Sequence, residues 1–244
     1  ATEQRGLSRP AFTHERQHAA CWHLDGHATQ RQRAIKAVAD IAGGEKVIFS
    51  VPSGNFGDLM GGVLAQRMGL GVERFVVATN ANDEVPRFLA TGRYEKIVPS
   101  KKCISNAMNV GHPSNFARIV DLYGGTMDEQ GNVLAAPDLS RMRRELYGVS
   151  VDDADTRRTI VEAYRRHHTM LEPHGATGWA GLQHFLAANP EHATTTAICL
   201  ETAHPAKFPE EIRALIEVDP AVPKSLQGLD GMKEYYREME TDYS

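Results

Sequence analysis

The chain has 244 residues, of which 41% are hydrophobic and 24% charged, with a net charge of −4. This length suits one α/β domain with a full core, and the lack of basic excess argues against a nucleic-acid partner. No apolar run reaches the roughly 18 residues of a membrane span, so we expect no membrane partner. The three distant cysteines, Cys21, Cys103 and Cys199, form no CxxC pair and favour a reducing, cytoplasmic location.

The pattern along the chain predicts three segments. Residues 1–28 are rich in His, Arg and Gln and are expected to be irregular, residues 29–227 form an α/β domain, and residues 228–244 form an acidic tail. In the first segment His14 and His18 would share a helical face and suit Zn²⁺, as part of a histidine- and cysteine-containing stretch. No second pair completes a metal site there, so we predict no bound metal.

Strand and helix patterns alternate through the predicted domain. Continuous apolar runs predict buried strands at 46–51, 74–79 and 194–202. Apolar faces at helical spacing predict helices at 29–42, 59–69, 83–92, 114–125, 152–168, 175–188 and 209–218. The mixed, partly charged stretch 126–150 is interpreted as an excursion between elements. Strands separated by helices imply parallel pairing, so we predict an α/β fold with an open, mostly parallel sheet and helices on both faces.

The strongest local signal is the sequence SGNFGD at 53–58, which follows a buried strand and opens a helix. Glycines allow backbone N–H groups to approach a ligand, and a helix N-terminus favours an anion. The loop matches neither GxGxxG nor GxxxxGK[ST], so a phosphate ester is favoured over a dinucleotide or a nucleoside triphosphate. A tight strand-to-helix turn without a ligand remains the alternative.

A second signal follows the strand at 194–202. Thr202 and His204 are expected at the same edge of the sheet as the 53–58 loop, because parallel strands end together there. The Thr202 hydroxyl is able to bond a heterocycle nitrogen, although threonine at a strand end also serves ordinary turn structure. His204 equally fits a packed core histidine.

Small polar residues are dense in two further stretches, 78–83 and 105–115. The second contains Ser105, Asn106 and Asn109, followed by Ser114 and Asn115. Both stretches also fit ordinary loop and N-cap chemistry, which Ser and Asn favour at helix starts.

Five motifs in order resemble the threonine synthases. They are VPSGNFGDLMGG, ATNANDEVPRFLATGRY, SNAMNVGHPSNFARI, EPHGATGWAGL and ETAHPAKFPE, and the resemblance covers about residues 46–227. That family has a fold-type-II pyridoxal-phosphate (PLP) fold related to the tryptophan synthase β family, of which this chain would form the larger part. Its members convert O-phosphohomoserine and water to threonine and phosphate.

The resemblance implies roles for individual residues. Ser53, Gly54, Asn55, Phe56 and Gly57 would hold the phosphate of pyridoxal 5'-phosphate, and Thr202 would face its pyridine nitrogen. Residues of the polar and TAHPAKF segments would lie near the substrate; these are Ser105, Asn106, Asn109, Ser114, Asn115, His204 and Lys207.

The chain departs from the family pattern in its lysines. The resemblance implies a Schiff-base lysine in an AFKD-like segment, because the reaction needs an amine that binds the cofactor and moves protons. None of the lysines here has that context; they are Lys36, Lys46, Lys96, Lys101, Lys102, Lys207, Lys224 and Lys233. The catalytic residue is therefore not found in this chain.

Four readings of function follow, of which a His-rich metal-binding module in residues 1–28 is the least favoured. The first is a threonine synthase whose lysine-bearing N-terminal half is missing here. Apolar surface against which that half would pack would then be exposed and would favour self-association. The second is a truncated, non-catalytic domain that binds PLP or phosphate, or a partner. The third is another fold-type-II PLP lyase or dehydratase, against which the SNAM and TAHPAKF segments argue.

Overall fold

The structure is a computed structural model that describes residues 19–21 and 43–238. Its centre is a five-stranded, all-parallel sheet in the order β1-β7-β2-β3-β6. These strands are β1 (Ala19–Cys21), β2 (Val47–Pro52), β3 (Val72–Thr79), β6 (Leu146–Ser150) and β7 (Ala197–Cys199), and a separate antiparallel pair consists of β4 (Thr126–Met127) and β5 (Val133–Ala135). The predicted parallel sheet is confirmed.

Helices connect the strands and cover the sheet. They are α1 (Gly57–Arg67), α2 (Glu84–Thr91), α3 (Ser114–Leu122), α4 (Leu139–Glu145), α5 (Asp153–His167), α6 (Pro173–Ala188) and α7 (Pro209–Ile216). Six of the predicted helices are confirmed to within a few residues at each end. The seventh, predicted at 29–42, lies outside the described residues. None of the helices in the described part of the chain is long and apolar enough to cross a bilayer.

Side chains from the two faces of the sheet form two large apolar clusters, beside a small third one around Val47 and Ile198. Val77 of β3 points to the first cluster, which α1, α2, α3 and α4 complete with residues such as Phe88 and Phe116. Val76, its neighbour along the strand, points to the second, which α5, α6 and α7 complete with residues such as Ile160. This alternation follows from strand geometry, and it confirms the prediction of helices on both faces.

The interpretation of 126–150 as an excursion is wrong. The stretch contains the β4–β5 pair, α4 and β6, and β6 is an edge strand of the main sheet that pairs with β3 from Phe75↔Leu146 to Thr79↔Ser150. Only Leu146 of this strand is buried, so its sequence, LYGVS, does not need the continuous apolar run of a fully buried strand. Gly148 lies where a Cβ would come within 2.8 Å of Pro86 Cα, so its small size serves the packing of α2.

The structure adds detail in three further stretches of the chain. Within the segment expected to be irregular, Ala19–Cys21 form β1 at the sheet edge, paired with β7, while the remainder of 1–28 lies outside the described residues. The run at 194–202 forms a strand only at Ala197–Cys199. In the tail, a short 3₁₀ turn at Leu229–Gly231 is followed by exposed chain to residue 238.

Candidate functional site

An open cleft of about 230 Å³ lies beyond the carboxyl end of β2. It is bounded by the loop from Ser53 to Phe56 and the start of α1, by Ala107 and Met108, by His174 and by Thr202. Ligands in open α/β sheets bind at this edge, where the strands end and helices begin. The structure therefore brings the two strongest sequence signals, the 53–58 loop and Thr202, to one cleft.

The loop meets α1 in a conformation that leaves donors available. Phe56, the N-cap of α1, has a left-handed backbone (φ 63°), and no side chain caps the helix. The first N–H groups of an α-helix have no partner within it, and the helix dipole favours an anion beside them. The ring of Phe56 is buried and packs against Phe116 with ring centroids 6.1 Å apart. Phe56 can therefore contribute its backbone to a ligand, and its ring holds the loop in place.

Gly54 sits in backbone contact with the opposite wall of the cleft. A Cβ at this position would lie 2.7 Å from Met108 Cα and 3.0 Å from Ala107 O. Real Cβ atoms do not approach backbone this closely, so glycine is required for the loop to rest on the Asn106–Met108 turn. The shape of the cleft thus depends on that turn.

Two of the predicted substrate residues hold the loop from the side of α3. The N–H and the hydroxyl of Ser114 both donate to Asn55 Oδ1, at 2.7 and 3.1 Å, and Asn115 Nδ2 donates to Asn55 O at 2.9 Å. Neither residue lines the cleft. In this structure they fix Asn55, whose carboxamide oxygen is occupied by the two donors of Ser114.

The polar segment at 105–109 is stabilised by a buried network. Asn80 donates from Nδ2 to Ser105 Oγ at 3.2 Å and to Asn109 Oδ1 at 2.9 Å, and Asn109 Oδ1 also accepts the Cys103 N–H at 3.1 Å. Ser105 is almost fully buried, whereas Asn106 is exposed at the start of the turn. Ser105 and Asn109 therefore shape the turn that touches Gly54, while none of the three lines the cleft.

Thr202, His204 and Lys207 lie in the segment that follows β7. Thr202 is exposed and lines the cleft. His204 caps a 3₁₀ turn at Pro205–Lys207, because its Nδ1 accepts the Ala206 N–H at 3.1 Å. Lys207 is exposed and, like His204, is not part of the cleft lining.

Sequence reasoning missed two residues at the N-terminus of α6. Glu172, the N-cap, is fully buried and accepts the N–H groups of His174 and Gly175 at 2.8 and 2.7 Å. His174 lines the cleft, and its Nε2 lies 3.1 Å from the Ala107 nitrogen. Both residues stand in the EPHGATGWAGL motif, so the signal was present, but their partner is 67 residues away in sequence.

The cleft contains little formal charge. Among the described residues that line it, Asp58 and His174 are the titratable ones, and neither a lysine nor an arginine is present. Attraction for an anion would thus come from backbone N–H groups and the α1 dipole rather than from a cationic side chain. No group of three or more metal-binding side chains occurs within the described part of the chain, and the side chains of His14, His18, Cys21, His23 and His27 lie outside that part.

Glu84, at the first turn of α2, is a second fully buried carboxyl group. Neither of its oxygens has a hydrogen-bond partner from another residue. Burial raises the pKa of Glu84 to about 7; its own backbone N–H partly opposes this shift, and the charge of Asp83 adds to it. Burial of the Tyr94 phenol raises the pKa of Tyr94, and the negative charge of Glu84 raises it further.

Taken together, these features define a class: an open parallel α/β protein with a cleft at the carboxyl edge of its sheet, into which an uncapped helix N-terminus opens. Residues 175–244 match a family model described as "Threonine synthase, C-terminal". Threonine synthase of Escherichia coli is 38% identical over 181 residues, which cover 74% of this chain and 38% of the relative. Threonine synthase of Haemophilus influenzae is 32% identical over 203 residues, which cover 82% of this chain and 42% of the relative.

A solved structure gives the same relationship. The PLP-bound threonine synthase of Brucella melitensis superposes with a TM-score of 0.72 at 30% identity, over 83% of this chain and 45% of that one. Over most of the described domain, the chain is therefore similar in sequence and in structure to the threonine synthases. It spans about two fifths of the length of the curated relatives it matches.

Proposed function

We propose that this chain supplies the phosphate-binding side of the cofactor site in a PLP-dependent threonine synthase. The observation that carries the proposal is the loop from Ser53 to Gly57, which presents an uncapped helix N-terminus to a cleft that also contains Thr202. The PLP-bound Brucella relative supports PLP as the ligand. In the whole protein the reaction would convert O-phosphohomoserine and water to threonine and phosphate.

The residues present fit the group. The N–H groups of Gly54, Asn55, Phe56 and Gly57 and the α1 dipole would hold the phosphate, with Ser53 anchoring the loop through its N–H bond to Ala78 O. The Thr202 hydroxyl would meet the pyridine nitrogen. When bound, PLP supplies an electron sink for carbanions, and a neutral hydroxyl at that nitrogen keeps the ring less protonated than a carboxylic acid would.

The remaining predicted residues divide by position. Ser105, Asn109, Ser114 and Asn115 would act on the substrate through the turn and the loop that they hold. Asn106, His204 and Lys207 stay predictions for direct contact with O-phosphohomoserine. The cytoplasm is the proposed location, and self-association the proposed consequence of isolating this part of the protein.

A second candidate function is cofactor binding without turnover. It is favoured by the cleft lining, which contains no lysine among the described residues. A covalent link to the cofactor would require an amine from elsewhere, and in a threonine synthase the lysine-bearing half would supply it. On its own, this chain would bind PLP without forming an imine, with a Kd between about 1 μM and 1 mM.

The test is titration of the chain with PLP, followed by absorption spectroscopy, borohydride reduction and intact mass. We expect saturable binding without an imine band and without a mapped pyridoxyl-lysine adduct. An adduct at a single lysine would instead make this chain catalytically complete and overturn the division between two halves. No binding at all would reject the proposed cofactor site.

Gly54→Ala tests whether the loop binds PLP. Its Cβ would meet Met108 Cα at 2.7 Å and push the loop from the turn, so we expect PLP affinity to fall about tenfold or more. Gly61→Ala is the control, because a Cβ there in α1 meets nothing within 4 Å. Equal affinities for the two variants, measured by the same titration, would contradict the role of the loop.

A further inference from the structure

Glu172, His174 and Ala107 form a continuous hydrogen-bonded chain into the cleft wall. Glu172 Oε2 lies 2.5 Å from His174 Nδ1, and Ala107 N–H donates to His174 Nε2 over 3.1 Å. Glu172 and His174 are 0% and 3% exposed. The Glu172–His174 contact is therefore shielded from water, which strengthens it, whereas the His174–Ala107 bond lies at the cleft wall.

The partners fix the protonation of the imidazole ring. Because Nε2 accepts the Ala107 amide, it carries no proton, and the ring proton resides on Nδ1, where it is donated to Glu172. The same carboxylate also accepts two backbone N–H groups, so it is held in one orientation. The ring of Phe208 packs against His174 with centroids 5.3 Å apart and limits its rotation.

The far end of this chain of bonds is the wall on which the phosphate loop rests. Ala107 and Met108 belong to the turn that would collide with any side chain at position 54. A shift of this turn would reach the Gly54 backbone directly. His174 also lines the cleft itself.

We propose that His174 is a positioning residue for the phosphate loop: its neutral imidazole, oriented by Glu172, holds the Ala107 amide and thereby the turn against Gly54. The inference rests on the proposed function, in that the loop is taken to bind the PLP phosphate. It adds that affinity for the phosphate depends on an acceptor at His174 Nε2.

Three variants separate this role from ordinary core packing. His174→Phe keeps the ring volume and removes the acceptor, whereas His174→Gln keeps an amide oxygen within reach of Ala107. His184→Phe is the matched control on the same helix, where the histidine is 42% exposed and pairs with Asp155. Chemical denaturation of all three identifies any loss of stability.

Affinity is measured for PLP and for pyridoxal, which lacks the phosphate. We expect His174→Phe to weaken PLP binding about tenfold and to leave pyridoxal binding unchanged, because only the phosphate contact is disturbed. His174→Gln should stay within about threefold of the unmodified chain. Equal losses for both ligands, or a failure of His174→Gln to restore PLP affinity, would overturn the proposal.

A second readout does not depend on the cofactor. In ¹⁵N-labelled protein we expect a scalar coupling between the Ala107 amide and His174 Nε2, and faster amide exchange at Ala107 in His174→Phe but not in His174→Gln. If PLP does not bind and the coupling is present, the proposed function fails while the positioning contact stands. Absence of the coupling, with unchanged Ala107 exchange in His174→Phe, rejects the positioning role.

Discussion

Two buried carboxyl groups in this molecule have opposite surroundings. Glu172 and Glu84 are both 0% exposed and both lie at the start of a helix. Glu172 accepts from two backbone N–H groups and from the His174 ring, whereas neither oxygen of Glu84 has a partner from another residue. Burial alone therefore does not determine what a carboxyl group contributes; the donors that surround it do.

Removing the hydrogen-bonded carboxylate of Glu172 should have the largest effect on the free energy of unfolding. Glu172→Ala deletes the N-cap of α6 and leaves three buried donors unpaired, so we expect a loss of about 3 kcal/mol in the free energy of unfolding. Urea denaturation at pH 7 measures it. Glu210→Ala is the control, since Glu210 is an exposed acid in the first turn of α7. A loss for Glu172→Ala no greater than that of the control would remove the contrast with Glu84.

Neutralising Glu84 should stabilise the fold, in contrast to the replacement of Glu172. The pKa of Glu84 is raised from 4.5 to about 7, first by burial, so the folded state binds more protons than the unfolded state between these values. Its ionisation therefore lowers stability progressively as the pH rises from about 4.5 to about 7, and not below that range.

We expect Glu84→Gln to stabilise the fold by about 2 kcal/mol at pH 8 and by little at pH 4. Denaturation midpoints across this pH range, compared with the unmodified chain, provide the measurement. A variant with the same stability gain at both pH values would indicate a packing effect, and one without any gain at pH 8 would contradict the unpaired state of Glu84.

A third carboxylate, that of Glu145, should have a smaller effect on stability. Glu145 is partly buried, and although burial opposes its ionisation, hydrogen bonds from Arg141, Arg67 and Tyr123 prevail and lower its pKa. Its stabilising contribution is thus present above the unfolded pKa and is lost as the pH falls through the lower folded value.

Glu145→Gln should cost about 1 kcal/mol at pH 7, because the side chain is 20% exposed and solvent screens part of the attraction. The cost should diminish in acid below pH 4, as both forms become neutral. Thermal unfolding at the two pH values tests this, and an effect that grows in acid would refute the assignment.

The sequence was sufficient where the signals are local. Apolar runs located β2 and β3, and helical spacing located six helices, because each pattern is set by the geometry of its own element. It was insufficient for β6, whose Gly148 is explained by contact with Pro86 and not by strand preference. The loop and Thr202 were predicted to share an edge, and this follows from parallel strands ending together.

By itself, then, the sequence determined the parallel α/β arrangement, the glycine loop at the start of α1, and the absence of a lysine in the context its family resemblance implies. Only the tertiary structure decided that Ala107 donates to His174, that Asn80 joins Ser105 to Asn109, and that Glu84 is buried without a donor from another residue. The physical reason is distance along the chain: local periodicity fixes an element, whereas these contacts depend on how separate elements pack.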